Sequence, residues 1–421
     1  MTPPLAPQIG PWRIVGRLAA PVAFLLAVAV AGYVAIAGTS ARTSTSASAS
    51  TSPRHHRPTV QRFSHRYPSD PVPTERQKVT GPAPTVPSRN VVRGHVFLYR
   101  FATLARGLPR AAMQRLGTHR WLLRQPVAIE GPAVLKVHHA TLLIGPGAFL
   151  EVRKRGTLDL RSVHVTGVGL DRRPMTRPLP SRGFLVATEE GRLVLERDVI
   201  TDLGHLGDLS YGISIRQSGR GSRITGSTIR DNYFGIYTSH GLGMRITGNR
   251  VIDSVVYGID PQLESRDILI QRNLVKGSGL HGIILSARDR EIRVMDNRVM
   301  GSRLHGIVLY RGCRHNVVRE NLIRHTFDGI VLTSVSHNLV AANTIREAVR
   351  FGMRISMGAS HNVLRNNEID DALLGAYLYG GARANRLLQN RFAHDRENVR
   401  VRSDAPGNRI RPVPPRSEVA P

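Results

Sequence analysis

Eight glycines recur at almost equal intervals: Gly212, Gly235, Gly258, Gly282, Gly306, Gly329, Gly352 and Gly375, separated by 23, 23, 24, 24, 23, 23 and 23 residues. Most follow an aromatic, His or Asp residue and precede an apolar, mostly β-branched pair. Two asparagine columns keep step: Asn249, Asn273, Asn297, Asn321, Asn343, Asn367 and Asn390, and then Asn316, Asn338, Asn362 and Asn385. A fixed period of this length marks a solenoid, in which each repeat buries its apolar face against its neighbours. The apolar pieces are strand-sized, such as Gly306-Ile-Val-Leu309 and Asn316-Val-Val318, and Gly, Asn and Ser interrupt them. No repeat holds a helix-length stretch of 3.6-residue periodicity, so the solenoid is β rather than α. Three short strands and three turns consume about one repeat, and stacked coils then lie ~4.8 Å apart. Inward Ile, Val and Leu form one continuous core. An Asn at a turn can bond its own backbone and the Asn of the next coil. The glycines fit a place where a side chain would collide or where φ is positive. Both columns read as architecture and say nothing of function.

The charge is more informative about partners. The 421 residues carry a formal +29. Residues 1–90 hold ten Lys+Arg against two Asp+Glu, a net +8; the remaining 49 against 28 give +21. The repeat region is therefore basic in its own right and suited to a polyanion. Aromatics are only 5% and no nucleic-acid module is recognisable, so nucleic acid is not an expected partner. Cys313 stands alone, which excludes an internal disulfide and a cysteine-based metal site. No metal or cofactor is expected, and the chain is expected to be a monomer.

Along the chain, residues 1–17 are short and polar and end in Arg13 and Arg17. Residues 18–38 are uncharged and long enough to cross a bilayer. The preceding arginines place residues 1–17 in the cytoplasm and the rest outside it. An uncleaved, membrane-anchoring helix is expected; a cleaved signal ending near Ala35-Ile36-Ala37 is the alternative. Residues 39–90 are Ser-, Thr- and Pro-rich and read as a disordered linker. Residues 91–124 show helical spacing (Val96, Leu98, Phe101, Leu104, Leu108) and read as a helical cap over the open end of the solenoid. The β-helix is expected over 125–408, with a Pro- and Arg-rich excursion at Leu170 to Arg182 and a disordered tail at 409–421.

Two registers within the repeats carry chemistry. Just before successive glycines stand Tyr257, His281 and His305, with Asp328 next. Beyond the glycines lie Arg216, His240, Asp260, Gln262, Arg288, Tyr310 and Arg311. If these turns face one groove, it holds cations for a carboxylate, imidazoles and a phenol for proton transfer, and an acid. Asp260 breaks its column, whose other members are Ser214, Tyr237, Ile284 and Val308; such local violations tend to mark function. The bland reading is a turn-starting Asp-Pro beside a hydrogen-bonded His stack.

The string Asp253-Ser-Val-Val-Tyr-Gly-Ile-Asp-Pro261, followed by His281-Gly-Ile-Ile-Leu-Ser286, resembles the periplasmic mannuronan (alginate) C5-epimerases. Those proteins carry Tyr-Gly-Ile-Asp-Pro-His-Asp and then a His-Gly-Ile-Ile coil; Tyr211-Gly-Ile-Ser-Ile215 and Asp328-Gly-Ile-Val331 fit the same pattern. The likeness spans about residues 125–390. Its generic repeat is shared with other carbohydrate-binding and sugar-hydrolase β-helices, including NosD. The resemblance implies an all-β, right-handed parallel β-helix and an isomerase acting on an acidic polysaccharide. The family's His and second acid are replaced here by Gln262 and Leu263, and Gln is neither acid nor base near neutral pH. In this reading Tyr257, Asp260, His281 and His305 are the catalytic candidates. Arg216, His240, Gln262, Arg288, Tyr310 and Arg311 are the substrate-binding ones. Arg288 or Arg311 would neutralise a uronate carboxylate, an imidazole would take H5 and Tyr257 would protonate the opposite face. The alternatives are a non-catalytic protein that binds or assembles an acidic cell-surface polysaccharide, and a polysaccharide lyase.

Overall fold

A computed structural model describes residues 85–177, 181–207 and 209–413. The candidate anchor at 18–38, the segment before it and most of the linker lie outside the described residues. Among the described residues no helix is long and apolar enough to cross a membrane.

The repeats form a right-handed parallel β-solenoid. A representative coil has strands His281–Ser286, Arg293–Met295 and Arg298–Met300. The middle strands stack into one 13-stranded sheet, and the first and third strands join a 23-stranded sheet. Later coils fuse the third strand with the next first strand, as in Leu322–Thr333 and Thr344–Ser356. Inside, Ile283, Leu285, Ile292, Val294 and Val299 are wholly buried and repeat coil after coil. Each β-branched or leucine side chain so buried contributes about 1.5–3 kcal/mol.

The asparagines form two ladders. In the first, Asn297 Oδ1 accepts from the backbone N–H and Nδ2 of Asn273, while its own Nδ2 donates to Ile270 O and to Asn321 Oδ1. The second runs through Asn316, Asn338, Asn362 and Asn385 and continues to Asn408. From Gly235 onward sterics, not backbone conformation, fix the glycine column; Gly212 at its head also has a positive φ of 126°. A Cβ on Gly258 would lie 2.4 Å from Val275 Cγ1 and 2.5 Å from Gly282 O. Positive φ falls instead on the residue before each ladder asparagine, for example Arg272 (55°), Asp296 (54°) and Glu320 (57°).

Two boundaries differ from the sequence reading. The segment 91–124 is helical only over Phe101–Arg106, whose Phe101 and Leu104 pack on the solenoid core. Gly107 and Pro109 stop the helix, and Arg120–Leu123 already pairs with Thr141–Ile144. At the other end, Arg409–Arg411 is not tail but the last strand of the 13-stranded sheet, paired with Arg386–Leu388.

Candidate active site

The parallel register aligns three outward columns on the 23-stranded sheet. The first runs Tyr257, His281, His305, Asp328 and Phe351 in successive coils. The second holds Ser214, Tyr237 and Asp260, and later Val308, Val331 and Arg354. The third runs Arg216, Ser239, Gln262, Ser286, Tyr310 and Thr333. A glycine after the first-column residue lets the backbone shift, so a residue one place before it and one two places after it share a face. Tyr257, Asp260 and Gln262 are thereby side by side in a single strand, Tyr257–Gln262.

In the first column the rings lie flat on one another. Tyr257 and His281 stack at 5.2 Å between centroids and 5°, and His281 and His305 at 4.8 Å and 9°. Tyr211 and Phe234 continue the stack on the other side. Burial, helped by the charges of His305 and Arg354, holds the His281 imidazole well below its usual pKa. Burial and then Arg354 and Arg350 do the same to His305. Both rings are therefore neutral at neutral pH. Burial raises the Tyr257 phenol, with Asp260 adding to it.

His305 is fixed from two sides. Its Nδ1 stands 3.3 Å from Asp328 Oδ2, within ion-pair distance though outside hydrogen-bond alignment, and Arg354 Nη2 donates to its Nε2 at 3.4 Å. Asp328, fully buried, binds Arg350 in a fork with both contacts at 2.9 Å, and Arg354 Nη1 at 3.3 Å. Arg350 also lies over the Phe327 and Phe351 rings, at 4.5 and 4.4 Å. With Nε2 receiving Arg354, His305 is not a free base. His281 Nδ1 has no partner among the described residues. Arg354 Nε is likewise without one.

Asp260 is 1% exposed, and neither carboxyl oxygen has a hydrogen bond among the described residues. Burial pushes its carboxyl well above the usual carboxylate range, which favours the protonated form over a free base. Gln262 accepts a 3.0 Å hydrogen bond from the Tyr237 hydroxyl. The place where the resembling family carries His thus ties two neighbouring coils together.

The remaining candidates lie toward the corner beyond the third column. His240 sits there with φ 52° and its Nδ1 3.1 Å from Ser239 Oγ. Arg288 is exposed and held by Glu264 at 2.9 and 2.6 Å; its backbone N–H bonds Arg311 O. Tyr310 and Arg216 occupy the third column, both half-buried. The structure thus gathers Tyr257, Asp260, His281 and His305 closely and sets His240, Arg288 and Arg311 at the edge. The arginines nearest the imidazoles are Arg350 and Arg354, which sequence reasoning passed over. Their signal was available: Arg354 follows Gly352 by the same two residues by which Asp260 follows Gly258.

Residues 257–410 match the family described as periplasmic copper-binding protein (NosD), and residues 180–323 match the right handed beta helix region. Among the described residues no group of three or more His, Cys, Asp or Glu converges on a metal-sized site, so the copper of that description has no ligand set here. A mannuronan C5-epimerase of Pseudomonas aeruginosa is 29% identical over 42% of this chain and 36% of its own length. One from Pseudomonas putida is 28% identical over 68% of this chain and 58% of its own. The chain therefore spans well under two thirds of these curated relatives. The crystal structure of the periplasmic alginate epimerase AlgG superposes with a TM-score of 0.66 at 19% identity, over 75% of this chain and 83% of that one. The chain is thus a right-handed parallel β-helix similar to the mannuronan C5-epimerases.

Proposed function

We propose that this protein removes the C5 proton of a uronate residue in an acidic polysaccharide outside the cytoplasm, as a C5-epimerase does. The observation that carries the reading is His281: a neutral imidazole stacked between Tyr257 and His305, with the Arg350–Asp328–Arg354 cluster beside His305. H5 lies α to a carboxylate and is very weakly acidic, so the carboxylate charge must first be neutralised. Arg354, whose side chain is partly exposed and reaches His305, is suited to this. His281 then takes H5. The curated relatives are named for mannuronan, and the matched crystal structure is of a periplasmic enzyme, which supports the substrate class and the compartment.

Epimerisation returns a proton to the opposite face of the sugar. Tyr257 is on the same sheet face as His281, its ring parallel and 5.2 Å away, with no room for a pyranose between them. On this reading solvent supplies the returning proton, and Tyr257 is not the opposite-face acid. The same-face arrangement also favours a second reading, a lyase: His281 takes H5 and Tyr257 protonates the departing O4 on the same side. Heavy-water incubation with polymannuronate and other polyuronates separates the two. Deuterium at C5 supports epimerisation, whereas an absorbing unsaturated product supports elimination. Either signal should fall at least about 100-fold in His281→Ala. Binding without deuterium uptake or unsaturated product would refute the catalytic reading and leave a polysaccharide-binding protein.

A further inference from the structure

The arginines of the candidate site are engaged, but those on another edge of the solenoid are not. Where each coil turns from the candidate-site sheet toward the 13-stranded sheet, isolated parallel bridges align Arg266, Arg290 and Arg314 in three successive coils. One column further on, Arg245 and Arg293 open their strands with outward, exposed side chains two coils apart. None of the five forms an ion pair with a described residue; Glu264 on the adjoining turn is taken by Arg288. The acids left on this corner are Asp267 and Glu291, each one residue past a stripe arginine. In the following coils that acidic column gives way to neighbouring imidazoles, His315 tilted against His337 at 5.7 Å and His337 stacked on His361 at 5.1 Å.

Like charges on adjacent rungs repel, and Glu264, Asp267 and Glu291 offset them only in part, without an ion pair to any of the five. Such a column is stabilised by an anion that follows it. The rungs are ~4.8 Å apart, the spacing of paired strands, which is of the size of one sugar residue in an extended chain. Guanidinium forks match carboxylates in a bidentate fashion. The stripe has no aromatic side chain on which bases could stack, and it is only one or two residues wide, too narrow to lie flat on a membrane.

We propose that this stripe is a second, non-catalytic track on which a linear polyuronate runs along the solenoid axis. Its occupant rests on the substrate class proposed above; its location does not. By holding one stretch of a long chain, the track raises the local concentration of the remainder at the candidate site.

The test replaces Arg266, Arg290 and Arg314 together with Gln in the full chain. It compares binding of long polymannuronate chains with C5 deuterium uptake by a tetrasaccharide too short to reach both surfaces. Long chains should bind roughly tenfold more weakly and with a shallower salt dependence, while tetrasaccharide exchange is unchanged. Should the triple variant fail to fold, Arg245→Gln with Arg293→Gln asks the same question. Unchanged long-chain affinity in a folded variant would overturn the proposal. So would loss of binding to anionic lipid vesicles in place of polyuronate, because the occupant would then be a membrane. Failure of the catalytic reading registers separately, as absent exchange on the tetrasaccharide in the unaltered protein.

Discussion

Replacing Asp328 by Asn keeps its shape and removes the one buried negative charge that holds two half-buried arginines. The contacts at stake are the Arg350 fork at 2.9 and 2.9 Å, Arg354 at 3.3 Å and His305 at 3.3 Å. A charge pair at about 4 Å contributes about 4 kcal/mol at an effective dielectric of about 20. Asp328 makes two such pairs, and the desolvation of three ions takes back much of the gain. What remains is the penalty for leaving two half-buried cations without their carboxylate, at most about 3–5 kcal/mol. A solenoid feels such a loss locally, in the coils concerned. Hydrogen exchange should therefore quicken in Leu322–Thr333 and Thr344–Ser356, while the coils near Asn249 stay protected. His305 should also lose its fixed orientation, and C5 exchange should fall with it. The decisive assay is a double-mutant cycle with Arg350→Met, read by urea unfolding. A coupling of about 2 kcal/mol or more is expected. A coupling near zero would refute the argument, because it would mean that Asp328 and Arg350 do not share a buried charge interaction.

Two further outcomes concern the scaffold. Asn297→Ala strands the Asn273 N–H and Nδ2 and the Ile270 carbonyl in the interior; at about 1–3 kcal/mol for each unsatisfied group, the expected loss is about 3–5 kcal/mol, and a urea midpoint within error of the parent would sink the ladder account. Burial raises the Asp395 carboxyl to about 7, with the Ala372 N–H opposing and Asp370 and Asp371 adding to it. A carboxyl whose folded pKa exceeds its unfolded value stabilises the fold fully below about pH 3.9, and the contribution is lost as pH rises toward 7. The site is partly open to solvent, so Asp395→Asn should be more stable than the parent at pH 8 by about 1–2 kcal/mol and should lose that part of the decline between pH 5 and pH 8, as urea midpoints at the two values will report.

The solenoid was legible because its physics is periodic. A core that repeats every 23 or 24 residues must print its inward Ile and Val, its turn asparagines and its crowded glycines at the same interval, and register then follows by counting. Counting Gly258, Gly282 and Gly306 put Tyr257, His281 and His305 in one column, where the structure has them stacked. Pattern fails where the repeat is absent. The 91–124 segment has helical spacing but is cut by Gly107 and Pro109, and most of its apolar residues go to strands or to the join between coils. Counting could not separate crowding from positive φ as the cause of the glycine column either, since that depends on which atoms the neighbouring coil presents. Nor could it show that Arg288 is held by Glu264 while Arg354 reaches back two coils to His305, because side-chain reach crosses rungs in directions a register does not specify.

A uniform ladder and a chemical site make opposite demands on a solenoid. Asn on Asn works in every coil because one amide both donates and accepts, so each rung satisfies the next. Asp on Asp would place like charges a strand spacing apart, and His⁺ on His⁺ would do the same. A proton-transfer set built along the axis must therefore change residue type along the column or keep repeated residues neutral. The column Tyr257, His281, His305, Asp328 does so: a phenol, two imidazoles kept neutral by burial, then a carboxylate balanced by Arg350 and Arg354 from the next coil. Within the same fold the asparagine columns stay constant over seven and five rungs. Heterogeneity along the columns of this face, beside ladders that tolerate none, is what distinguishes it from the asparagine turns. It also leaves the face its proton-transfer groups although Gln262 is neither acid nor base: the imidazoles stand in the first column, two columns from Gln262, on the next two rungs.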